Sequence, residues 1–336
     1  MSDIMTALQS FPRSQFLGGP TPLEHLPRLS EHFDVDLWIK RDDLTGLGFG
    51  GNKIRQLEFY FGDALTSGAD TVLITGAVQS NYVRAAAACA NRLGLKTVIQ
   101  LENRVPDMDD TYRQNGNVLL GQMLGAEFMH YPVGEDEAGA DQALRDRADQ
   151  LRAEGRNPYV ISLGADNPPL GALGYIRAAD EIVTQAPEGF DATILATGSG
   201  QTHAGLIFGL RALGHKTGRV YGICVRRGPA EQVPRITKLW KSLEKLLDYP
   251  LPFDHHDMLI WGGALAPGYG QLGDNARQAL ADMARFEGLF LDPVYTAKAF
   301  AGLPGLLADG TIQPGQRVLF LHTGGLPALF GYQGDL

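Results

Sequence analysis

Lys53 stands in GFGGNKIRQLEF, residues 48–59, where three glycines precede Asn52-Lys53 and an amphipathic pattern follows. This spacing predicts a glycine turn running into a helix, with the lysine on its first turn. The positive end of a helix disfavours a protonated ammonium, and a neutral amine attacks carbonyl carbon. On this segment alone, a surface lysine is the simpler reading.

Three further segments share the pattern of strand, glycine turn and helix start. In TGAVQSNYVRAAAA, residues 75–88, Ser80 and Asn81 open a predicted helix. Its unpaired N–H groups can grip a carboxylate, although Ser80 also reads as a plain helix cap. In ATGSGQTHAGL, residues 196–206, the amides from Gly198 through Ser199, Gly200 and Gln201 to Thr202, with two hydroxyls, form a natural phosphate nest. A structural turn explains that segment equally well. The segment is not a nucleotide P-loop, and a dinucleotide fingerprint would need glycine where His203 stands. That opposes a nicotinamide oxidoreductase. In FLHTGGLPALF, residues 320–330, a strand ends at Thr323 before a glycine pair.

One ligand unites the four segments. A lysine for an aldehyde, a nest for a phosphate and a hydroxyl for a ring nitrogen are what pyridoxal 5'-phosphate (PLP) needs. Each segment also falls at the end of a strand or the start of a helix, where open α/β sheets bind ligands.

The elements that must position these residues alternate regularly from residue 70 onward. Strands are expected over 70–75, 96–101, 127–133, 157–164, 191–197, 219–225 and 317–325. Helices are expected over 80–94, 116–126, 141–155, 171–185, 202–214 and 237–248. The polar stretch 102–115 reads as a mobile loop. Such alternation means βαβ units and parallel sheets. There are too many strands for one simple sheet, so two α/β domains with a cleft between them are expected. The 336 residues suit that count.

Composition narrows the partners. A net charge of −9 argues against nucleic acid. No apolar run reaches the roughly 18 residues of a membrane span, and the N-terminus does not read as a signal peptide. The chain is therefore expected to be cytoplasmic. Cys89 and Cys224 sit in apolar surroundings and read as buried, reduced thiols. The run Asp254-His255-His256-Asp257 reads as a solvated loop, because adjacent residues rarely converge on one ion; no metal is expected.

Taken in order, PTPLEHLPRLS, WIKRDDLTG, GGNKIRQLEF, GAVQSNYVR, TGSGQTHAGL, APGYG, LDPVYTAKA and HTGGLPALF resemble the D-cysteine desulfhydrase group. That group also contains L-cysteate sulfo-lyases and 1-aminocyclopropane-1-carboxylate deaminases. The resemblance spans roughly residues 11–332. It implies a tryptophan-synthase-β-like fold (PLP fold type II), with two open, twisted, mostly parallel sheets flanked by helices. Residues 1–52 and 166–336 would form a large cofactor-binding domain and 53–165 a small one. A homodimer is implied as well.

The resemblance also implies roles. Lys53 would hold the cofactor and move the substrate α-proton. Asn81 would meet the phenolic oxygen of the cofactor. Ser80, with Gln79 and nearby amides, would hold the substrate carboxylate. Residues Gly198 to Thr202 would cradle the phosphate, and Thr323 would face the pyridine nitrogen. Tyr269 and Tyr295 would line the substrate side. A neutral hydroxyl at that nitrogen makes a weaker electron sink than a carboxylate would, which favours β-elimination over transamination. The expected reaction releases pyruvate, ammonia and sulfide or sulfite from D-cysteine or L-cysteate. Ring opening of the cyclopropane amino acid, and a PLP-binding carrier without catalysis, are the alternatives. Two departures bear on the substrate. Tyr82 stands where desulfhydrases usually have histidine, and Gly164-Ala165-Asp166-Asn167 stands where they often read G-G-S-S. Tyr82 would give a sulfonate a neutral donor, whereas an inward Asp166 would repel it.

Overall fold

The computed structural model describes residues 3–162, 164, 167–215, 218–254 and 258–336. Ten strands are found among them: β1 (Leu23–His25), β2 (Asp36–Arg41), β3 (Thr71–Ala77), β4 (Lys96–Glu102), β5 (Glu127–Tyr131), β6 (Pro158–Ile161), β7 (Ala192–Thr197), β8 (Arg219–Cys224), β9 (Met258–Trp261) and β10 (Arg317–His322). They form two sheets, a six-stranded one ordered β1-β2-β10-β7-β8-β9 and a four-stranded one ordered β5-β4-β3-β6. All pairings are parallel except β1 with β2. The expected α/β class with two mostly parallel sheets is the observed one.

Inner strands such as β10 are apolar on both faces because helices cover both. In β10, Leu319 and Leu321 enter a core with helices Leu170–Gln185, Gln201–Ala212 and Pro229–Leu247. Val318 and Phe320, one residue out of phase, enter the opposite core with helices Asp274–Glu287 and Thr296–Ala308. Helix Asn52–Thr66 contributes to two cores: Phe59 packs into the first of these, while Ile54, Leu57 and Phe61 pack into the core of the four-stranded sheet.

Two expectations need correction. The last helix of the series begins at Pro229, eight residues before the expected start at Thr237, and it contains Pro234. Pro229, at the first helical position, lacks only an N–H that would be unpaired there anyway, whereas Pro234, at the sixth, removes one helix hydrogen bond. The stretch 102–115 is not a free loop. It contains helix Asp110–Gln114 and buries Val105 and Tyr112. Cys89 and Cys224 are buried and unbonded, as expected. No helix among the described residues is long and apolar enough to cross a membrane.

A buried ionic cluster anchors the helix that carries Lys53. Arg55 donates to Asp42 at 2.9 Å and to Glu181 at 2.7 Å, and Lys40 pairs with Glu181 at 3.0 Å. Tyr175 Oη donates to Asp42 at 2.6 Å. Burial pushes the Asp42 carboxyl up, but Arg55 and Lys40 hold it below its usual value.

Candidate active site

Lys53 is the second residue of helix Asn52–Thr66, behind the glycine turn. Two backbones meet there, for a Cβ on Gly324 would lie 2.7 Å from Gly51 Cα. Asn52 N donates to Thr323 O at 3.0 Å. The lysine turn and the turn after β10 are thus one unit. Lys53 Nζ lies 3.4 Å from Gln56 Oε1 and 4.7 Å from the Tyr82 ring centroid. Desolvation lowers its pKa to about 8. Its accessible side faces a pocket that also receives Ser80, Asn81, Thr323 and the 198–202 turn.

Ser80 caps helix Asn81–Arg92, its Oγ accepting from Tyr82 N at 3.2 Å. Asn81 Oδ1 accepts from Asn117 Nδ2 at 2.9 Å. Arg84, buried, donates to Asn117 Oδ1 at 3.1 Å and to Gly50 O at 3.0 Å. It therefore ties the Asn81 amide to the lysine turn.

The 198–202 turn opens helix Gln201–Ala212, with Gly200 in the left-handed region at φ 94°. Its carbonyls are held from behind: Gln232 Nε2 donates to Gly198 O at 3.1 Å, and Arg235 Nε to Ser199 O at 2.8 Å. The N–H groups of the helix start remain for an anion. Thr202 Oγ1 accepts from Asn52 at 2.9 Å and Gln56 at 2.8 Å, joining the anion turn to the lysine helix.

Tyr269 and Tyr295 meet with hydroxyls 2.6 Å apart on the pocket wall. Burial, with Tyr269 beside it, keeps the Tyr295 phenol protonated well above its usual range. Buried Asp292 fixes the chain at Tyr295, accepting from its N–H at 3.0 Å and from that of Thr296 at 2.8 Å. Lys298 Nζ donates to Leu265 O at 2.8 Å and to Gly268 O, fixing the loop that carries Tyr269.

Two residues singled out from the sequence have side chains directed elsewhere. Gln79 spends its amide on the 112–117 segment, donating to Asn115 O at 2.9 Å and accepting from Asn117 N at 2.9 Å. Gln201 donates to Tyr60 Oη at 3.0 Å, leaving only its backbone to the turn. Tyr82 borders the pocket, but its hydroxyl is buried without a hydrogen-bond partner among the described residues. Asp166 lies outside the described residues, as do Ala165, His255, His256 and Asp257.

Sequence reading missed the charged part of the wall: Arg104, Glu137, Arg226 and Arg235. Arg104 forks onto Glu102 at 2.7 and 2.8 Å. Glu137 accepts from Arg226, Arg227 and Arg235. The one available signal was Arg226-Arg227 just beyond β8, at the ligand-binding ends of the strands.

The residues fit PLP: a low-pKa amine, an anion turn that Gly200 shapes and a hydroxyl at Thr323 face one pocket. The model of the pyridoxal-phosphate-dependent enzyme family matches residues 15–324. The chain is 37% identical to a solved ACC deaminase homologue, covering 99% of this chain and 97% of that one at a TM-score of 0.87. A fungal L-serine ammonia-lyase from Rhizomucor miehei is 20% identical, over 96% of this chain and 99% of that one, at a TM-score of 0.67. An O-ureido-L-serine synthase is 17% identical, over 98% and 95%, at 0.67. These last two share the fold.

Proposed function

We propose that this chain, which belongs to the pyridoxal-phosphate-dependent enzyme family, is a β-eliminating carbon–sulfur lyase acting on a three-carbon amino acid, L-cysteate ahead of D-cysteine. When bound, the cofactor supplies a sink for the electron pair left at Cα. The amine of Lys53 holds the cofactor and takes the α-proton, which its depressed pKa of about 8 permits near neutrality. Ser80 and the helix start behind it hold the substrate carboxylate. Asn81, steadied by Asn117, meets the cofactor oxygen, and residues 198–202 take the phosphate. The Cβ–S bond then breaks, its electrons leaving with sulfite or sulfide. The three-carbon remainder hydrolyses to pyruvate and ammonia.

The observation that carries this reading is the wall opposite any carboxylate chemistry. Among the described pocket residues the one carboxylate is Glu137, and three arginines engage it. Thr323 supplies a hydroxyl, consistent with a sink too weak to hold a carbanion that has a leaving group. A homodimer, implied by the family resemblance, and the cytoplasmic location expected from the sequence complete the reading.

A second reading, ring opening of 1-aminocyclopropane-1-carboxylate, is favoured by the 37% identity to an ACC deaminase homologue. A panel of L-cysteate, both cysteines, D-cysteate and the cyclopropane amino acid separates the readings. Pyruvate from L-cysteate with the highest kcat/KM supports the proposal. A preference for D-cysteine above about tenfold, roughly 1.4 kcal/mol in transition-state stabilisation, removes the sulfonate. A four-carbon keto acid from the cyclopropane substrate as best product replaces the lyase reading. No turnover of any member leaves a PLP carrier.

A further inference from the structure

Beyond the end of β8, Arg226 lines the pocket that holds Lys53 and Ser80. The side chain is 6% exposed. Nη1 donates to Glu137 at 3.0 Å and Nη2 to Glu135 at 3.0 Å. The third donor, Nε, is shielded from solvent and has no hydrogen-bond partner among the described residues. The guanidinium carbon lies 5.9 Å from the centroid of the Tyr269 ring.

The local charge favours an anion. Arg226, Arg227 and Arg235 converge on two carboxylates, Glu135 and Glu137. Burial pushes the Glu137 carboxyl up, but the three arginines hold it below its ordinary value, so it stays ionised and holds them together. Arg235 is also committed to Ser199 O, whereas Arg226 lines the pocket beside Tyr269.

We propose that Arg226, with Tyr269 beside it, is the subsite for an anionic group on the substrate β-carbon, a sulfonate in particular. This rests on the lyase reading above and decides its substrate class. A sulfonate keeps its charge at neutral pH and offers three acceptor oxygens to a charge-assisted donor. A thiol offers neither.

The test uses the holoenzyme and 3-sulfopropionate, which is cysteate without its amino group and cannot react, with propionate as reference. Calorimetry should show 3-sulfopropionate binding at least about tenfold more tightly than propionate. Arg226→Gln should bring the two affinities together while retaining propionate affinity and cofactor content. Glu137→Gln should keep the sulfonate advantage. Equal binding of both probes by the wild type overturns the proposal. So does an Arg226→Gln variant that weakens both probes equally or loses cofactor, which would assign Arg226 to scaffolding or to the phosphate. A Glu137→Gln variant that copies Arg226→Gln overturns it too, since the ion cluster alone would then matter. If the probes separate as expected but no sulfur amino acid yields pyruvate, the anion subsite stands and the lyase reading falls.

Discussion

The amine of Lys53 lies 4.7 Å from the centroid of the Tyr82 ring, against its π-face. The tyrosine hydroxyl takes no part in this contact; it is buried, with no hydrogen-bond partner among the described residues. Tyr82 therefore acts on the pocket through its ring, and the neutral donor expected of its hydroxyl is not on the pocket wall. Tyr82→Phe should leave the ratio of kcat/KM for L-cysteate over D-cysteine within about twofold. It should not lower Tm, because it removes a buried polar group that has no partner. Tyr82→His should shift the ratio, since it replaces the ring beside Lys53. Side-by-side kinetics and melting curves check both.

Lys53 should capture the cofactor as an amine with a pKa of about 8. Desolvation favours its neutral form, so the nucleophilic fraction grows as pH rises through 8; an ordinary lysine titrates near ~10.4. Apo-protein mixed with PLP should develop its visible band at a rate that reaches half its maximum near pH 8. Lys53→Ala should develop no such band. A midpoint above pH 10, or a band that survives in the variant, places the covalent link elsewhere.

Ser80→Ala should separate substrate binding from cofactor binding. Its hydroxyl caps the helix and faces the pocket, while on the proposed reading Lys53 and the 198–202 turn hold the cofactor. Loss of the cap should cost ~1 kcal/mol in stability. We expect kcat/KM to fall by at least about tenfold with PLP content unchanged. Parallel loss of PLP assigns Ser80 to the cofactor.

Lys298 positions the tyrosine pair without touching it, by holding Leu265 O and Gly268 O from the helix that follows Tyr295. Lys298→Met should lower kcat more than it raises KM, because the Tyr269 loop loses its anchor while the carboxylate site is intact. Tyr295→Phe should produce the same split. A purely structural lysine would lower Tm and leave the kinetics of the folded fraction unchanged.

Arg55→Ala should destabilise the protein by ~3–5 kcal/mol, because it leaves Asp42 buried and charged without its main partner. Denaturant unfolding checks the magnitude. A loss below 1 kcal/mol would show that Lys40 and Tyr175 suffice for Asp42.

Much of the scaffold was determined by local sequence. Apolar runs such as RVLFLH can be satisfied only between two helical layers, and glycine before Asn52-Lys53 or a serine cap before Asn81 specifies a turn into a helix whatever surrounds it. These rules act over a few residues, so the lysine turn, the Ser80 cap and the 198–202 turn were legible in order along the chain. The direction of a side chain is not a local property. Gln79 and Ser80 are neighbours in sequence, yet packing sends the first to Asn115 and Asn117 and leaves the second facing the pocket. Pairings across long separations were equally hidden. Glu137 begins a helix beside the four-stranded sheet and Arg226 follows a strand of the six-stranded one, 89 residues later. Only the folding of the two sheets against each other brings that carboxylate and that guanidinium to one wall, and with them the charge that favours an anionic substrate.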